Sequence, residues 1–250
     1  MKKNRNNIAT QSVTGIVNCA CVIHGTKYDW SYVEKLYNMV KRNLSFPMQF
    51  HVYTEPDRSV PDFMTKHCLE DWGLRGSKRA WWYKMQLFNK NHHSGPLLYF
   101  DLDTVITRNI DWIVQLPTEK YFWGVRDFKY LWRPAWYGTN SSVMWWNTNV
   151  FDHVWNNFEK KDIFSMIKRY HGDQDYITDN ITDQTRRHFD TTRIKSWRWE
   201  CLHGGYNFKT RVHKTPGSGT CVPDNTSILV FHGEPKPHTA QDKLIQQYWQ

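Results

Sequence analysis

Five consecutive apolar or aromatic residues run straight into two carboxylates in PLLYFDLDTVITRNI, Pro96 to Ile110. A strand with one wet face alternates apolar and polar side chains, whereas an unbroken apolar run suits a strand covered on both faces. That is the condition of a parallel sheet packed between helices. Side chains two apart on a strand lean the same way, so Asp101 and Asp103 converge where the strand ends. In open α/β sheets, ligands sit beyond the carboxyl ends of strands.

The preceding chain supports that architecture. SVTGIVNCACVI (12–23) reads as a buried strand, rich in small and β-branched residues. Val33, Leu36, Tyr37, Val40 and Leu44 then recur at helical spacing behind Ser31 and Glu34, a capping-box pattern. PMQFHVYTE (47–55) reads as a second strand. Strand, helix, strand opens a parallel sheet with right-handed crossovers. SKRAWWYKMQLFNKN (77–91) predicts a helix with Trp81, Met85 and Phe88 on one face and Lys84 inside the same stripe. Such a lysine either snorkels out past the aromatics or reaches an anionic ligand. Further strands are predicted at 121–127, 141–147 and 227–233, and a helix over 149–160 carrying Val150, Val154, Trp155 and Phe158 on one side.

With 250 residues the chain holds one α/β domain and not two comfortable ones. We place its limits at 12–238, with terminal segments at 1–11 and 239–250. The formal net charge of +9 is spread along the chain, which suits an anionic substrate or a polyanionic surface. Fourteen tryptophans and 13 tyrosines make up much of the apolar share; they either pack in the core or line a sugar or base site. Five cysteines, odd in number and without paired zinc spacing, favour neither a disulfide framework nor a zinc module. They fit a reducing, cytoplasmic setting. No apolar stretch approaches the roughly 20 residues that a membrane span needs.

Two converging carboxylates repel unless a proton or a cation lies between them. A hard divalent ion, Mn²⁺ or Mg²⁺, itself bound to phosphate oxygens, resolves that conflict. The plain alternative is that one aspartate caps the next turn and the other is solvated. A second strand end argues for the cation: SILVF terminates in His232, and HGEPKP follows. His232 would complete an Asp101, Asp103, His232 metal set, Gly233 allows close backbone approach to a ligand, and Lys236 adds a charge for phosphate.

YFDLDTVI followed far downstream by VFHGEPKPH resembles the GT-A glycosyltransferases of the glycogenin-like type, family 8-like enzymes that use a nucleotide-diphosphate sugar. The resemblance spans most of residues 13–238. It implies a GT-A fold, a mainly parallel mixed sheet flanked by helices, and a hexosyltransferase acting with retention. The donor implied is a UDP-sugar, or a GDP-sugar, and the acceptor a glycan or lipid-linked glycan. Lys84, Asp101, Asp103, His232, Gly233 and Lys236 match donor and metal positions of that family, with Asp103 the most direct ligand of the metal and Asp101 shared with the ribose. YGTNSSVMWWN resembles the stretch that contacts the sugar, through Asn140 and Ser141. HGDQDYIT resembles the acidic segment facing the transferred sugar and the acceptor, through Asp173, Gln174 and Asp175. Tyr28 in HGTKYDW would stack on the base. Pro237-His238 stands where the family commonly has Pro-Trp.

Three rival readings remain open at this level. LLYFDLDT also describes the nucleophile strand of a haloacid-dehalogenase-type phosphatase, with Asp101 as nucleophile and Asp103 as acid. That motif usually opens its domain, and here a complete βαβ unit precedes it. A sugar-phosphate nucleotidyltransferase would want a Gly-rich basic loop after the first strand, for which VIHGTK is a poor substitute. A basic, aromatic-rich module binding glycan or nucleic acid explains the charge but leaves the DxD pair and His232 without a role.

Overall fold

A computed structural model of the chain describes residues 15–159 and 162–250. The expected arm 1–11, residues 12–14 of the predicted first strand and residue 160 of the predicted helix over 149–160 lie outside the described residues.

β1 (Val17–Val22), α1 (Ser31–Asn43) and β2 (Met48–Thr54) form the predicted βαβ unit, with Cys19 in register with Phe50. β3 (Met64–Cys68) extends it on the outer edge, and β4 (Pro96–Phe100) pairs parallel to β1 on the inner side. The continuous apolar run of β4 does what its pattern demands. Leu98 and Phe100 enter the core shared with α1, Leu97 and Tyr99 enter the opposite core, and all four are buried. β5 (Thr104–Ile106) follows the two aspartates at once.

β6 (Phe122–Arg126), β7 (Thr139–Asn147) and β8 (Arg186–His188) complete a seven-stranded sheet in the order β3-β2-β1-β4-β7-β6-β8. Only β7 runs against the rest, pairing antiparallel with both β4 and β6. The sheet is therefore mixed and mainly parallel, as expected. Because β7 is reversed, its amino-terminal end lies at the same edge as the carboxyl ends of β1, β4 and β6.

The predicted strand around 227–233 belongs elsewhere. β9 (Ile194–Ser196), the short hairpin β10 (Tyr206–Asn207) and β11 (Val212–His213), and β12 (Ile228–Val230) follow the main sheet. β12 sits between β5 and β9 in a separate three-stranded sheet, antiparallel to β5 and parallel to β9. Val230 is in register with both Thr104 and Ser196. That register brings the end of β12 and the end of β9 beside Asp103.

The helices are α1, a single turn α2 (Asp111–Val114), α3 (Asp152–Glu159), α4 (Ile163–Arg169), α5 (Asp173–Asn180) and α6 (Lys243–Tyr248). Three local expectations are corrected. Ser31 is the first helical residue of α1 rather than its cap, and the Asp29 carboxylate accepts the Ser31 N–H at 2.9 Å in the capping role. The helix predicted over 77–91 is a 3₁₀ segment, Ala80–Phe88, in which every residue except Trp81 is buried. A segment surrounded by core has no solvent face for a 3.6-residue stripe to define, and three residues per turn place Trp81 in line with Lys84 instead. The carboxyl terminus is also part of the domain. Ile245 is buried, the Trp249 ring packs 4.9 Å from Tyr32, and Arg42 donates to the carbonyls of Tyr248 and Gln250.

Candidate active site

A cleft of about 660 Å³ opens at the carboxyl edge of the main sheet. Its floor is Asp101, Leu102 and Asp103 beyond β4; its walls are the β1–α1 loop from His24 to Tyr28 and the segment from Gly76 to Trp81. Lys27, Lys78 and Lys84 line it, so the only carboxylates facing this basic cleft among its lining residues are the two of the DxD pair.

The β1–α1 wall is held from behind. Gly25 has φ +58°, a left-handed conformation that favours glycine. Its N–H donates to the buried Glu55 carboxylate, and its carbonyl accepts from Arg58 at 2.7 Å. Burial opposes the Glu55 charge, but the Gly25 and Arg58 hydrogen bonds outweigh it and hold the carboxyl down at about 2.

Each aspartate of the DxD pair meets its own lysine. The Lys84 ammonium lies 2.8 Å from Oδ1 of Asp101, which also accepts from the Tyr99 hydroxyl at 2.6 Å. The Lys236 ammonium lies 2.5 Å from Oδ2 of Asp103, which also accepts from the Tyr28 hydroxyl at 2.9 Å. The two carboxylates are then driven apart in acidity. Burial would raise the Asp101 pKa, but the charge and hydrogen bond of Lys84 lower it. For Asp103, burial and the neighbouring Asp101 charge win over Lys236 and Tyr28, and its pKa is raised.

Lys84 is the centre of this network. It is buried, and it reaches Ser141 Oγ at 3.0 Å and Asp173 Oδ2 at 3.4 Å as well as Asp101. Ser141 in turn donates to Asp173 at 2.5 Å. Burial alone would lower the lysine pKa, but Asp101 and Asp173 raise it. Lys84, Ser141, Asp101 and Asp173, far apart in the chain, are thus gathered at one sheet edge by the reversed strand β7 and the start of α5.

The other predicted residues distribute differently. Tyr28 lines the cleft, but its hydroxyl is committed to Asp103 and its ring packs 4.6 Å from Tyr32. Asn140 turns its side-chain oxygen onto the Ser142 N–H at 3.1 Å, a local turn that positions Ser141. Gln174 and Asp175 are half-buried in the first turn of α5, next to Asp173. Gly233 is exposed at φ +73°.

His232 does not join the aspartates. Its Nε2 lies 2.6 Å from Ser196 Oγ, and its ring rests 4.1 Å from the Trp199 ring. Burial, then the charges of Arg198 and Lys236, lower its pKa to about 4. Among the described residues no three His, Cys, Asp or Glu side chains converge as metal ligands, so the predicted Asp101, Asp103, His232 set is not assembled. The reason is topological: His232 leaves the second sheet alongside β9, and its imidazole is drawn to Ser196 before it can turn to the cleft. The carboxylate pair itself suits a hard cation. Both partners of Asp103 fall on Oδ2 and both of Asp101 on Oδ1, which leaves each with an oxygen to offer.

Trp81 was missed as a site residue. It is 40% exposed and lines the cleft, with its indole nitrogen near Gly172 at the start of α5. Its three-residue spacing from Lys84 was the available signal, legible only if the segment is read as 3₁₀. Lys27 and Lys78 were missed as well, because isolated lysines in loops carry no pattern.

No protein-family model matches the sequence, and no curated protein matches it either. Solved structures do share its architecture. An active-site mutant of LgtC, described elsewhere as a galactosyltransferase, superposes with a TM-score of 0.63 at 11% identity, over 93% of this chain and 94% of that one. The apo form of the glycosyltransferase GlyE of Streptococcus pneumoniae TIGR4 gives 0.63 at 13% identity, over 94% of this chain and 59% of GlyE. Mouse xyloside xylosyltransferase 1 gives 0.51 at 15% identity, over 88% and 98%. The expected GT-A glycosyltransferase fold is the fold of this chain.

Proposed function

We propose that this GT-A chain is a glycosyltransferase that moves a hexosyl group from a nucleotide-diphosphate sugar, a UDP-sugar before a GDP-sugar, to an acceptor hydroxyl with retention. The observation that carries the reading is the pairing of Asp101 and Asp103, on the floor of one basic cleft beyond the carboxyl end of β4, with Lys84 and Lys236. A phosphatase would need its nucleophile strand to open the domain, whereas three strands of the same sheet precede β4.

Within this reading Lys27 and Lys78 draw the anionic donor into the cleft, and Trp81 offers a face on which a base or sugar ring stacks. Lys236 exchanges part of its contact with Asp103 for a phosphate oxygen, and Lys84 holds Asp101 and Asp173 in place. Asp101 and Asp103 would hold Mn²⁺ or Mg²⁺ through their uncommitted oxygens; when bound, the ion neutralises charge on the departing diphosphate. Asp173, fixed by Ser141 and Lys84, is positioned to stabilise positive charge on the sugar, while Gln174 and Asp175 face the acceptor side. The acceptor we favour is a glycan or lipid-linked glycan. Five free thiols support action in the cytoplasm, and no helix among the described residues is long and apolar enough to cross a membrane.

The test is a thermal-shift screen of UDP-, GDP-, ADP- and CDP-sugars with Mn²⁺, followed by NMR of the product anomer. A metal-dependent upward shift with one nucleotide class is expected. Absence of stabilisation by every nucleotide sugar would remove the reading, and an inverted product would remove retention alone.

A further inference from the structure

Half of the fourteen tryptophans are buried, and one group of rings, exposed at Trp132 and half-buried at Trp199 and Phe208, reaches the surface. Trp132, 37% exposed, closes a short 3₁₀ turn (Phe128–Leu131) beyond β6. It meets Trp199 edge-on at 5.1 Å and Phe208, from the β10–β11 hairpin, at 4.5 Å. Three separate loops thus build one aromatic shelf.

The shelf is rigid from below. Trp199 lies in a π-helical turn (Trp197–Cys201) whose Trp199 N–H donates to Ser196 Oγ at 3.1 Å. Glu200 in that turn accepts from Lys195 at 2.8 Å, from the Ser196 N–H at 2.9 Å and from the Tyr130 hydroxyl at 3.2 Å. Rings held in this way lose little conformational entropy when a ligand stacks on them.

It is also basic. Residues 126–137 and 197–214, which carry the shelf, hold seven Lys or Arg and two acids, Asp127 and Glu200. Both acids are engaged inward, Asp127 by the Trp136 indole N–H and Lys129, Glu200 by Lys195. Arg133, Arg198, Lys209 and Arg211 are exposed around the rings. One short segment links the shelf to the DxD pair: His232 rests on Trp199, and four residues later Lys236 reaches Asp103. Four residues of extended chain cover at most about 14 Å.

We infer that Trp132, Trp199 and Phe208 form a docking shelf for an acceptor glycan bearing negatively charged groups, its rings stacking on the indoles and its anionic substituents meeting Arg133 and Arg198. The inference rests on the glycosyltransferase reading, because only then does a surface adjoining Lys236 and Asp103 receive the acceptor. Sugar faces stack on aromatic rings, and uniform basic charge selects an acidic chain over a neutral one.

Calorimetric titration of the full chain with a galacturonate hexasaccharide, with neutral cellohexaose and with a dT15 oligonucleotide tests it. Saturable binding of the galacturonate is expected, at least tenfold weaker in Trp132→Ala and in Arg198→Gln, with cellohexaose weaker than galacturonate. The Mn²⁺-dependent stabilisation by UDP should be the same in these variants as in the parent. Absent galacturonate binding, unchanged affinity in Trp132→Ala, equal affinity for cellohexaose, or tighter Trp132-dependent binding of dT15 would each overturn it. Absence of a Mn²⁺-dependent response to UDP and to every nucleotide sugar in the parent chain would instead strike the glycosyltransferase reading, so the two failures are told apart.

Discussion

Replacing Lys84 by Met removes a buried cation that faces two carboxylates. Lys84 contacts Asp101 at 2.8 Å and Asp173 at 3.4 Å, and the Asp173 side chain is only 9% exposed. Removing one partner of a buried pair costs about 3–5 kcal/mol, chiefly because the other charge stays buried and uncompensated. The Asp101 side chain is 26% exposed and can recover some hydration, which places the cost near the lower end, about 3 kcal/mol. For a domain of this size that is a fall of roughly 6–12 °C in Tm. The cost has a pH signature. With Lys84 present the Asp101 pKa is lowered, so its contribution is held at neutral pH and lost only in strong acid as pH falls through the folded value. Without Lys84, Asp101 binds a proton more readily in the folded state, and the deficit shrinks as pH falls from 7 towards 5. Urea unfolding of parent and variant at pH 7 and pH 5 measures both effects. A second substitution, Asp101→Asn, should return part of the lost stability to Lys84→Met. A deficit under about 1 kcal/mol, independent of pH, would show that Lys84 is not the charge that organises this site.

The remaining expectations concern catalysis, metal and acid stability. Asp103→Asn removes the charge that faces the buried Lys236 ammonium, so it should cost about 3 kcal/mol in stability and, at a temperature where it remains folded, lose at least about 100-fold in donor hydrolysis; near-parental turnover would defeat the assignment. Trp81→Ala should weaken UDP binding about tenfold, the loss of one stacking contact, read by calorimetry against an unchanged fold. His232→Ala should cost about 1–2 kcal/mol by orphaning Ser196 and leave the Mn²⁺ titration of activity unchanged; a shifted titration would restore His232 to the metal set. His51, His67, His92 and His93 cluster at the β2–β3 edge, with His51 Nδ1 and His67 Nε2 2.9 Å apart and Glu70 as the nearby acid. Burial, then the neighbouring histidines, lower His51 to about 3 and His67 to about 4. Neutral imidazoles therefore stabilise the fold fully above the unfolded pKa near 6.5, and that stability drains as pH falls toward 4. At pH 5 His67, discounted for solvent screening at its partly exposed position, accounts for about 1 kcal/mol. Urea melts of the parent at pH 7.5 and 5 should show the loss, and His67→Gln should reduce it.

Much of the architecture was legible in local pattern. The unbroken apolar run of β4 demanded cover on both faces, and Leu97, Leu98, Tyr99 and Phe100 divide between two cores accordingly. The helical spacing of α1 and the strands on either side of it are equally local, because period and burial are properties of neighbouring residues. The DxD pair was legible for the same reason: a strand end and two carboxylates lie within one short stretch.

What these residues face was decided by distance in space. Local pattern located Lys84, but only the reversed strand β7 and the start of α5 set Ser141 and Asp173 against its amine. Lys236 and His232 sit four residues apart, yet one pairs with Asp103 and the other turns to Ser196 on β9, because β12 belongs to a second sheet. The exposed Trp132 and the buried Trp146 are indistinguishable by composition, and packing alone sorted them. A chain writes its periodicities in adjacent residues, so they can be read from it directly. The pairing of charges and the exposure of rings depend on which strand ends share an edge, and that follows from the order of the whole sheet.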